Sequence, residues 1–208
     1  MSDAVFPGLR PTDVPPAGRY GLPGAQGVLA TLRDDLAVAT LAARKGAGAA
    51  LAAAVAAAFG AQLVDGPKVS PGTGVDFVGT GPGRWLAVAA DRPGLAAELA
   101  AALDAHAAIT EQSDANVAID LSGPRVREAL AKGVAIDLDP LAFAAGDAAV
   151  TSAALIGVTF WQLDAAPAYR FLVGRSVASG FVRFVVASAA EFGLRLDDAL
   201  SGNLTGRG

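Results

Sequence analysis

The sequence has no cysteine and one histidine among its 208 residues, and each scarcity excludes particular kinds of metal site or active site. Without cysteine there is no disulfide, thiolate zinc site, iron–sulfur cluster or cysteine nucleophile. A single histidine cannot form a multi-histidine metal site. The formal net charge of −4 argues against nucleic acid or an anionic membrane as the main partner.

Long apolar runs are also missing. The longest, residues 47–60 and 148–163, fall short of the roughly 20 apolar residues that a membrane-spanning helix needs. Residues 1–21 contain no basic region followed by an apolar segment, so they predict no signal peptide. We therefore expect a cytoplasmic location.

What remains is a composition that is 53% hydrophobic and 17% charged, which is typical of a globular protein with an apolar core. Residues 1–27, rich in proline and glycine, predict an extended N-terminal arm. Residues 28–193 predict an α+β domain with two α/β halves that divide near residue 110. Residues 194–208 predict a flexible C-terminal tail.

The order of predicted elements indicates an α+β fold with mainly antiparallel sheets and helices packed on them. Residues 28–41 predict a hairpin that turns at Asp34 and Asp35. The alanine-rich residues 47–59 predict a helix that ends at Gly60. Residues 75–79 and 84–90 predict a second hairpin.

Polar residues precede three further predicted helices. Asp91 is expected to cap a helix with Leu95, Leu99 and Leu103 on its buried face. Ser122 is expected to cap the next helix, after a strand over residues 116–121, and Ser176 to cap the last.

The glycine-rich run over residues 79–83 resembles a nucleotide-binding loop only superficially. It lacks the Gly-Lys-Ser/Thr of a P-loop, and it leads into a strand rather than a helix. The run therefore predicts a tight turn.

Candidate polar residues each have a catalytic and a structural interpretation. His106, near a predicted helix end, could act as a base but is favoured as a lone, partly buried histidine. Carboxylates could act as an acid–base pair, but turns and helix caps are favoured for all four: Asp114, Asp120, Asp137 and Asp139. Arginines could bind an anionic ligand, but salt bridges are favoured for all three: Arg84, Arg125 and Arg127.

Four sequence segments carry a family resemblance: WLAVAADRPG, EQSDANVAIDLSGPRVREALAKGVAIDLDPLAF, FWQL and YRFLVGRSVASGF. Together they resemble the gamma subunit of heterotetrameric sarcosine oxidase, over about residues 28–192. The strand followed by Ser-Gly-Pro and a helix also resembles the wider folate-binding aminomethyltransferase fold, including the glycine-cleavage T-protein. Two departures are Val134-Ala135, where the family commonly has Cys-Pro, and Asp139, where histidine is common.

The resemblance implies a non-catalytic subunit of a complex that demethylates sarcosine to glycine and forms hydrogen peroxide and methylenetetrahydrofolate. It implies alpha, beta and delta subunits as partners, mainly alpha. FAD, FMN, NAD and zinc would be carried by those other subunits, and none by this chain. Expected interface or fold-signature residues are Arg84, Trp85, Ser122, Gly123, Pro124, Arg125 and Asp137.

Two alternatives from other classes stay open. A stand-alone folate-binding or aminomethyl-transfer protein would need a carboxylate and an aromatic contact for the pterin, for which Asp137 and Trp85 are the candidates. A small hydrolase or isomerase would need a carboxylate pair that the spacing does not single out.

Overall fold

The structure of the protein is a computed structural model, which describes residues 15–24 and 26–197. The described chain contains these strands: β1 (Gly18–Tyr20), β2 (Val28–Arg33), β3 (Leu36–Ala43), β4 (Val69–Pro71), β5 (Asp76–Gly81), β6 (Arg84–Ala90), β7 (Ala107–Glu111), β8 (Asn116–Ser122), β9 (Ala148–Ala153), β10 (Ile156–Asp164), β11 (Ala168–Gly174) and β12 (Leu194–Leu196). Its α-helices are α1 (Gly48–Phe59), α2 (Leu95–Leu103), α3 (Val126–Ala131) and α4 (Ala178–Ala189). These elements form two compact units.

The first unit is built around a seven-stranded sheet in the order β1-β12-β2-β8-β11-β10-β9. Strand β2 runs parallel to β12 and antiparallel to β8, and β10 runs antiparallel to β11. Helices α3 and α4 belong to this unit and contact each other. Its buried residues include a series of aromatic rings in contact: Phe143, Phe160, Tyr169, Phe171 and Phe181.

The second unit is built around a five-stranded sheet in the order β4-β5-β6-β3-β7, with α1 and α2 packed in it. All four strand pairs in this sheet are antiparallel. Alternate residues of the strands and one face of each helix fill a single core. Its fully buried members include Leu41, Leu51, Phe77, Leu95 and Leu99.

The predicted α+β fold class is confirmed, because the sheets are mostly antiparallel and the helices pack on them. The predicted alanine-rich helix is confirmed as α1. Its apolar stripe of Leu51, Val55 and Phe59 is buried. Gly60 ends it with a φ of 68°, and its N–H donates to the Ala56 carbonyl. The hairpin of β5 and β6 is confirmed as well.

The predicted hairpin over residues 28–41 is wrong, although both of its strands exist. Strand β2 pairs with β8 and β12 in the first unit, whereas β3 pairs with β6 and β7 in the second. The chain passes from one unit to the other between Asp34 and Asp35. Alternation along a strand identifies the strand but not its partner, which explains the error.

The three predicted helix caps are wrong. Asp91 has a φ of 48°, which is not the extended backbone of a capping residue, and α2 begins only after Gly94. Ser122 ends β8, and α3 begins four residues later without a side-chain cap. Ser176 lies in a 3₁₀ turn that precedes α4.

The described parts of the predicted arm and tail contain short strands, and the internal boundary differs from the predicted one. Of the predicted arm, Gly18–Tyr20 forms β1, and of the predicted tail, Leu194–Leu196 forms β12 inside the first sheet. Leu194 and Leu196 are buried, so apolar packing as well as strand pairing holds this short segment in the sheet. Predicted arm residues 1–14 and 25 and tail residues 198–208 lie outside the described residues. The two units are not consecutive halves, since residues 35–116 and 146–150 form the second and the first lies on either side.

Candidate functional site

The Ser-Gly-Pro motif forms a corner between β8 and α3 in which two backbone segments meet. Gly123 has a φ of 120°, and a Cβ placed on it would lie 2.4 Å from the Gly27 carbonyl oxygen. The Arg125 N–H donates to that same oxygen at 3.0 Å. Gly27 in turn donates to the carbonyls of Phe192 and Gly193. The motif therefore needs glycine for close packing of the backbone, and Pro124 lies exposed beside it.

Two cations hold the Phe192 ring beside this corner. The Arg125 guanidinium lies 4.6 Å from the ring centroid, and the Lys132 ammonium lies 4.7 Å from it. Lys132 also donates to the Ser188 carbonyl at 2.5 Å and pairs with Glu191. These contacts join α3 to the end of α4, and each cation–π pair is worth about 0.5–1 kcal/mol when exposed. We call Arg125, Lys132 and Phe192 the Phe192 clamp.

Asp120 is the carboxylate that the structure surrounds most closely with positive charge. Arg170 on β11 donates to it through Nε at 2.6 Å and through a terminal nitrogen at 2.7 Å. Arg33 on β2 adds a third contact at 3.1 Å. The side chains of Asp120 and Arg170 are only 21% and 13% exposed, so this bidentate pair is partly shielded from water. It joins β2, β8 and β11, and both oxygens of the carboxylate are occupied. The predicted turn or helix-cap role of Asp120 is therefore wrong, because the residue lies within strand β8 beside two arginines from neighbouring strands.

The other three carboxylates lie in turns. Asp137 Oδ1 accepts the Asp139 N–H, and Asp139 Oδ1 accepts the Leu141 N–H, both at 2.9 Å. These are side chain to backbone contacts two residues apart, the geometry of Asx turns. Asp114 lies in the exposed turn between β7 and β8.

Arg127 and His106 also make contacts within the chain. The Arg127 Nε donates to the Tyr169 hydroxyl at 2.9 Å. Burial raises the pKa of the Tyr169 hydroxyl, and the Arg127 charge opposes that rise. His106 is half-buried after α2, where its carbonyl accepts the Arg44 N–H.

Trp85 belongs to the core of the second unit, not to a surface. Its side chain is packed in the core with the residue 3% exposed, and its indole N–H donates to the Val64 carbonyl at 2.7 Å. Arg84, its neighbour at the start of β6, is exposed. The two predicted interface residues therefore lie in opposite environments, and only Arg84 is available to a partner.

The glycine-rich turn beside Arg84 borders an open pocket of about 470 Å³. The residues that line it, three of them glycine, are Asp65, Gly66, Pro67, Gly79, Thr80, Gly81, Pro82 and Val150. A Cβ on Gly79 would lie 1.7 Å from the Gly66 carbonyl oxygen, so this glycine is required by packing. Asp65 accepts the Gly83 N–H at 2.8 Å and thereby holds the turn. The tight turn itself was predicted from the glycine-rich sequence.

Metal-ligand clusters and membrane-spanning helices are both absent from the described part of the chain. Within residues 15–24 and 26–197, no three histidine, aspartate or glutamate side chains come together as potential metal ligands. None of the helices in those residues has the length and hydropathy of a membrane span. The contacts that sequence reasoning missed are the Arg33–Asp120–Arg170 cluster and the Phe192 clamp. Their members come from separate segments, and no local spacing signals them.

The fold has solved counterparts. A chain of the structure "Heterotetrameric Sarcosine Oxidase from Corynebacterium sp. U-96 in complex with pyrrole 2-carboxylate" superposes with a TM-score of 0.73 at 26% identity, covering 83% of this chain and 88% of that one. The glycine cleavage system aminomethyltransferase T from Bartonella henselae superposes with a TM-score of 0.58 at 8% identity, covering 83% of this chain and 48% of that one. The second likeness defines the class of fold, which is that of the aminomethyltransferase T-protein.

Sequence comparison identifies the family within that class. A family model described as "Sarcosine oxidase, gamma subunit family" matches residues 44–191. "Sarcosine oxidase subunit gamma" of Arthrobacter sp is 36% identical over 115 residues, 55% of this chain and 56% of that protein. The protein of that name from Corynebacterium sp. (strain P-1) is 33% identical over 143 residues, 67% of this chain and 70% of that protein. The chain belongs to the sarcosine oxidase gamma subunit family, and its match spans little more than half of the Arthrobacter relative.

Proposed function

We propose that this chain is the gamma subunit of a heterotetrameric sarcosine oxidase. The observation that carries the proposal is the superposition, with a TM-score of 0.73, on 88% of a chain of a solved heterotetrameric sarcosine oxidase. The complex would oxidise the N-methyl carbon of sarcosine, release glycine and pass two electrons to oxygen to give hydrogen peroxide. Tetrahydrofolate would take the carbon as methylenetetrahydrofolate, and the family resemblance is the basis for this chemistry.

Within that complex we infer a structural role for this chain. The support comes from the polar residues that were candidates for catalysis, because they form ion pairs and hydrogen bonds within the chain. Asp120 is held by two arginines, and Arg127 donates to Tyr169. Asp137 and Asp139 hold turns. We therefore propose that the active site and the FAD, FMN, NAD and zinc lie on other subunits.

The proposed partners are the alpha subunit, mainly, with beta and delta. The residues available for such contacts include the exposed members of the predicted set. These are Arg84, Pro124, Arg125 and Asp137. Gly123 and Trp85 support the fold behind them, by backbone packing and by core packing respectively.

Co-purification tests the assembly. The full chain with an affinity tag is expressed together with the flavin-bearing subunits encoded in the same genome. The expected result is a complex that contains both the tagged chain and flavin and that oxidises sarcosine. A tagged chain that elutes alone as a soluble monomer, while the flavin subunits assemble without it, would contradict the proposal.

The stand-alone folate-binding alternative has its own test on the full chain. Its candidate aromatic contact, Trp85, is in the core with its indole N–H already hydrogen-bonded. Titration calorimetry of the isolated chain with tetrahydrofolate should give no heat of binding. Saturable binding with one site per chain would favour the alternative instead.

A further inference from the structure

Two arginines lie directly opposite each other at the edge of the sheet in the first unit. Strand β1 is the edge strand of that sheet and neighbours β12 alone. The antiparallel register of the two strands sets Arg19 against Arg195. Residues opposite each other in such a pair share a face and have Cβ atoms about 4.5–5.5 Å apart, and like charges at these positions repel. The register therefore places two positive charges where they destabilise the edge of the sheet. We call Arg19 and Arg195 the arginine pair.

The arginine pair lies on the exposed side of this edge. Both leucines that flank Arg195 on β12 are buried, whereas Arg195 and Arg19 are exposed. The same row of side chains continues across the sheet through Leu29 on β2 to Ser122 on β8, and these two residues are half-buried. Ser122 is one of the predicted interface residues. The row of side chains therefore connects the exposed edge of the sheet to a predicted interface position.

The charge of the arginine pair is only partly neutralised by the described residues. Arg195 donates through Nε to Asp197 at 2.8 Å, and the other oxygen of that carboxylate accepts the Thr31 hydroxyl at 3.3 Å. Arg19 makes no ion pair or hydrogen bond with the part of the chain that the structure describes. One carboxylate therefore serves two guanidinium groups. The whole Arg19 guanidinium and the terminal nitrogens of Arg195 remain to bind an anion.

An open pocket of about 400 Å³ lies at the arginine pair. It is lined by Ala17, Gly18, Arg19, Arg195, Leu196 and Asp197. A Cβ on Gly18 would have no atom within 4 Å, so the space next to Arg19 is open. A guanidinium presents its N–H groups in a planar fork that matches the two oxygens of a carboxylate. Both the space and the charge therefore fit a carboxylate.

We propose that the arginine pair binds an aspartate or glutamate side chain of another subunit of the oxidase. This inference rests on the proposed function, since it needs the heterotetramer as the assembly. The carboxylate of the partner lies between the two guanidinium groups and converts their repulsion into attraction. Charge complementarity selects this partner, and it disfavours a second copy of the chain, because a symmetric contact through the pair would bring four arginines together.

Competitive incorporation tests the proposal. All subunits are co-expressed with two differently tagged copies of the full chain, one wild type and one variant, and mass spectrometry gives their ratio in the purified complex. Arg19→Glu should be incorporated about 10-fold less than wild type or lower still, because it sets a carboxylate against the carboxylate of the partner. Arg19→Gln removes the charge without reversing it, and it should be incorporated about two- to fivefold less, as for an exposed ion pair.

Lys45→Glu is the matched control. Lys45 is exposed, lies in the second unit and makes no ion pair with the described residues, as is true of Arg19. Its reversal changes the net charge of the chain by the same amount as Arg19→Glu. The incorporation of Lys45→Glu should therefore equal that of wild type.

Thermal melting of the isolated full chain separates docking from folding. With no partner present, Arg19→Gln removes a repulsion between opposite residues, so this variant should melt at or above the wild-type temperature. A lower melting temperature would show that Arg19 already stabilises the isolated chain, through a carboxylate of the same chain or by packing. That result overturns the proposal.

Each other outcome has a defined meaning. Equal incorporation of Arg19→Glu overturns the proposal while the proposed function stands. An equal loss with Lys45→Glu assigns the effect to net charge and also overturns the proposal. Wild-type chain missing from the complex overturns the proposed function and this inference with it. An isolated chain that is dimeric, and becomes monomeric with Arg19→Glu, identifies a second copy as the occupant and overturns the proposal.

Discussion

At the scale of single residues, most conspicuous positions are explained by packing and hydrogen bonding within the chain. Gly123 is the clearest, because both its φ of 120° and the 2.4 Å approach to the Gly27 carbonyl exclude a side chain. The sequence predicted Gly123 as a signature residue, but its reason depends on Gly27, which lies far away in the sequence. Local sequence patterns can mark a position as structurally important, but they do not identify the distant residue that packs against it.

Gly123→Ala should lower the free energy of unfolding by about 2–4 kcal/mol, since strain and steric overlap act together. Gly146→Ala is the matched control, because Gly146 has a φ of 85° but open space around its Cβ position. The control should lose only about 1–2 kcal/mol. Urea denaturation of the two variants measures the difference, and equal losses would show that the contact with Gly27 contributes nothing.

Asp120→Asn should destabilise the chain by about 1.5–3 kcal/mol, because it weakens charge-assisted hydrogen bonds from two arginines in a partly shielded site. Asp137→Asn should change stability by less than about 0.5 kcal/mol, since asparagine also forms Asx turns at an exposed position. Thermal and urea unfolding of both variants test this contrast. If Asp120→Asn left the free energy of unfolding unchanged, the Arg33–Asp120–Arg170 cluster would make no net contribution to stability.

Tyr169 gives a prediction about pH. Burial raises the pKa of its hydroxyl above the ordinary value of 10.0, so the folded state holds this proton more tightly than the unfolded state. The resulting stability is fully present below the unfolded pKa and is lost as the pH rises through the folded pKa. Wild type should therefore lose more stability than Tyr169→Phe between neutral and strongly alkaline pH, measured by urea unfolding at each pH. Parallel curves for the two proteins would contradict the assignment.

At the scale of elements, periodicity predicted which segments are helices or strands better than it predicted how they begin or pair. Helix α1 was predicted because Leu51, Val55 and Phe59 repeat at helical spacing and Gly60 follows. The β2–β3 hairpin failed because both strands pair with remote segments. The caps failed because each predicted capping residue lies two to four positions before the helix begins, with Leu95 starting α2, Val126 starting α3 and Ala178 starting α4.

Strand β6 carries the element-scale prediction. Trp85→Ala should cost about 3–5 kcal/mol, because it empties a core site and frees the Val64 carbonyl. Trp85→Phe keeps much of the packing and should cost clearly less. Circular dichroism during urea unfolding gives both values. A normally stable Trp85→Ala chain that fails to join the complex would place this side chain at an interface instead of in the core.

At the scale of the whole molecule, family membership was within reach of the sequence, whereas the arrangement of the chain into units was not. Four local segments were enough to suggest the gamma subunit family, which the family model and two relatives establish. The two units are interleaved along the chain, because residues 35–116 and 146–150 fold together between segments of the other unit. A single domain boundary at one sequence position cannot describe a unit that is inserted within another.

We propose that this chain supports a sarcosine oxidase without supplying catalytic groups. The most direct measurement is sarcosine-dependent hydrogen peroxide production by the assembled complex, compared between wild type and the variant His106→Gln/Asp137→Asn/Asp139→Asn, with activity normalised to the amount of this chain. This variant replaces the lone histidine and two turn carboxylates with residues of similar shape. We predict a kcat within about twofold of wild type, because groups outside the reacting centre leave the barrier unchanged. A loss of about 100-fold or more at full incorporation would contradict the account.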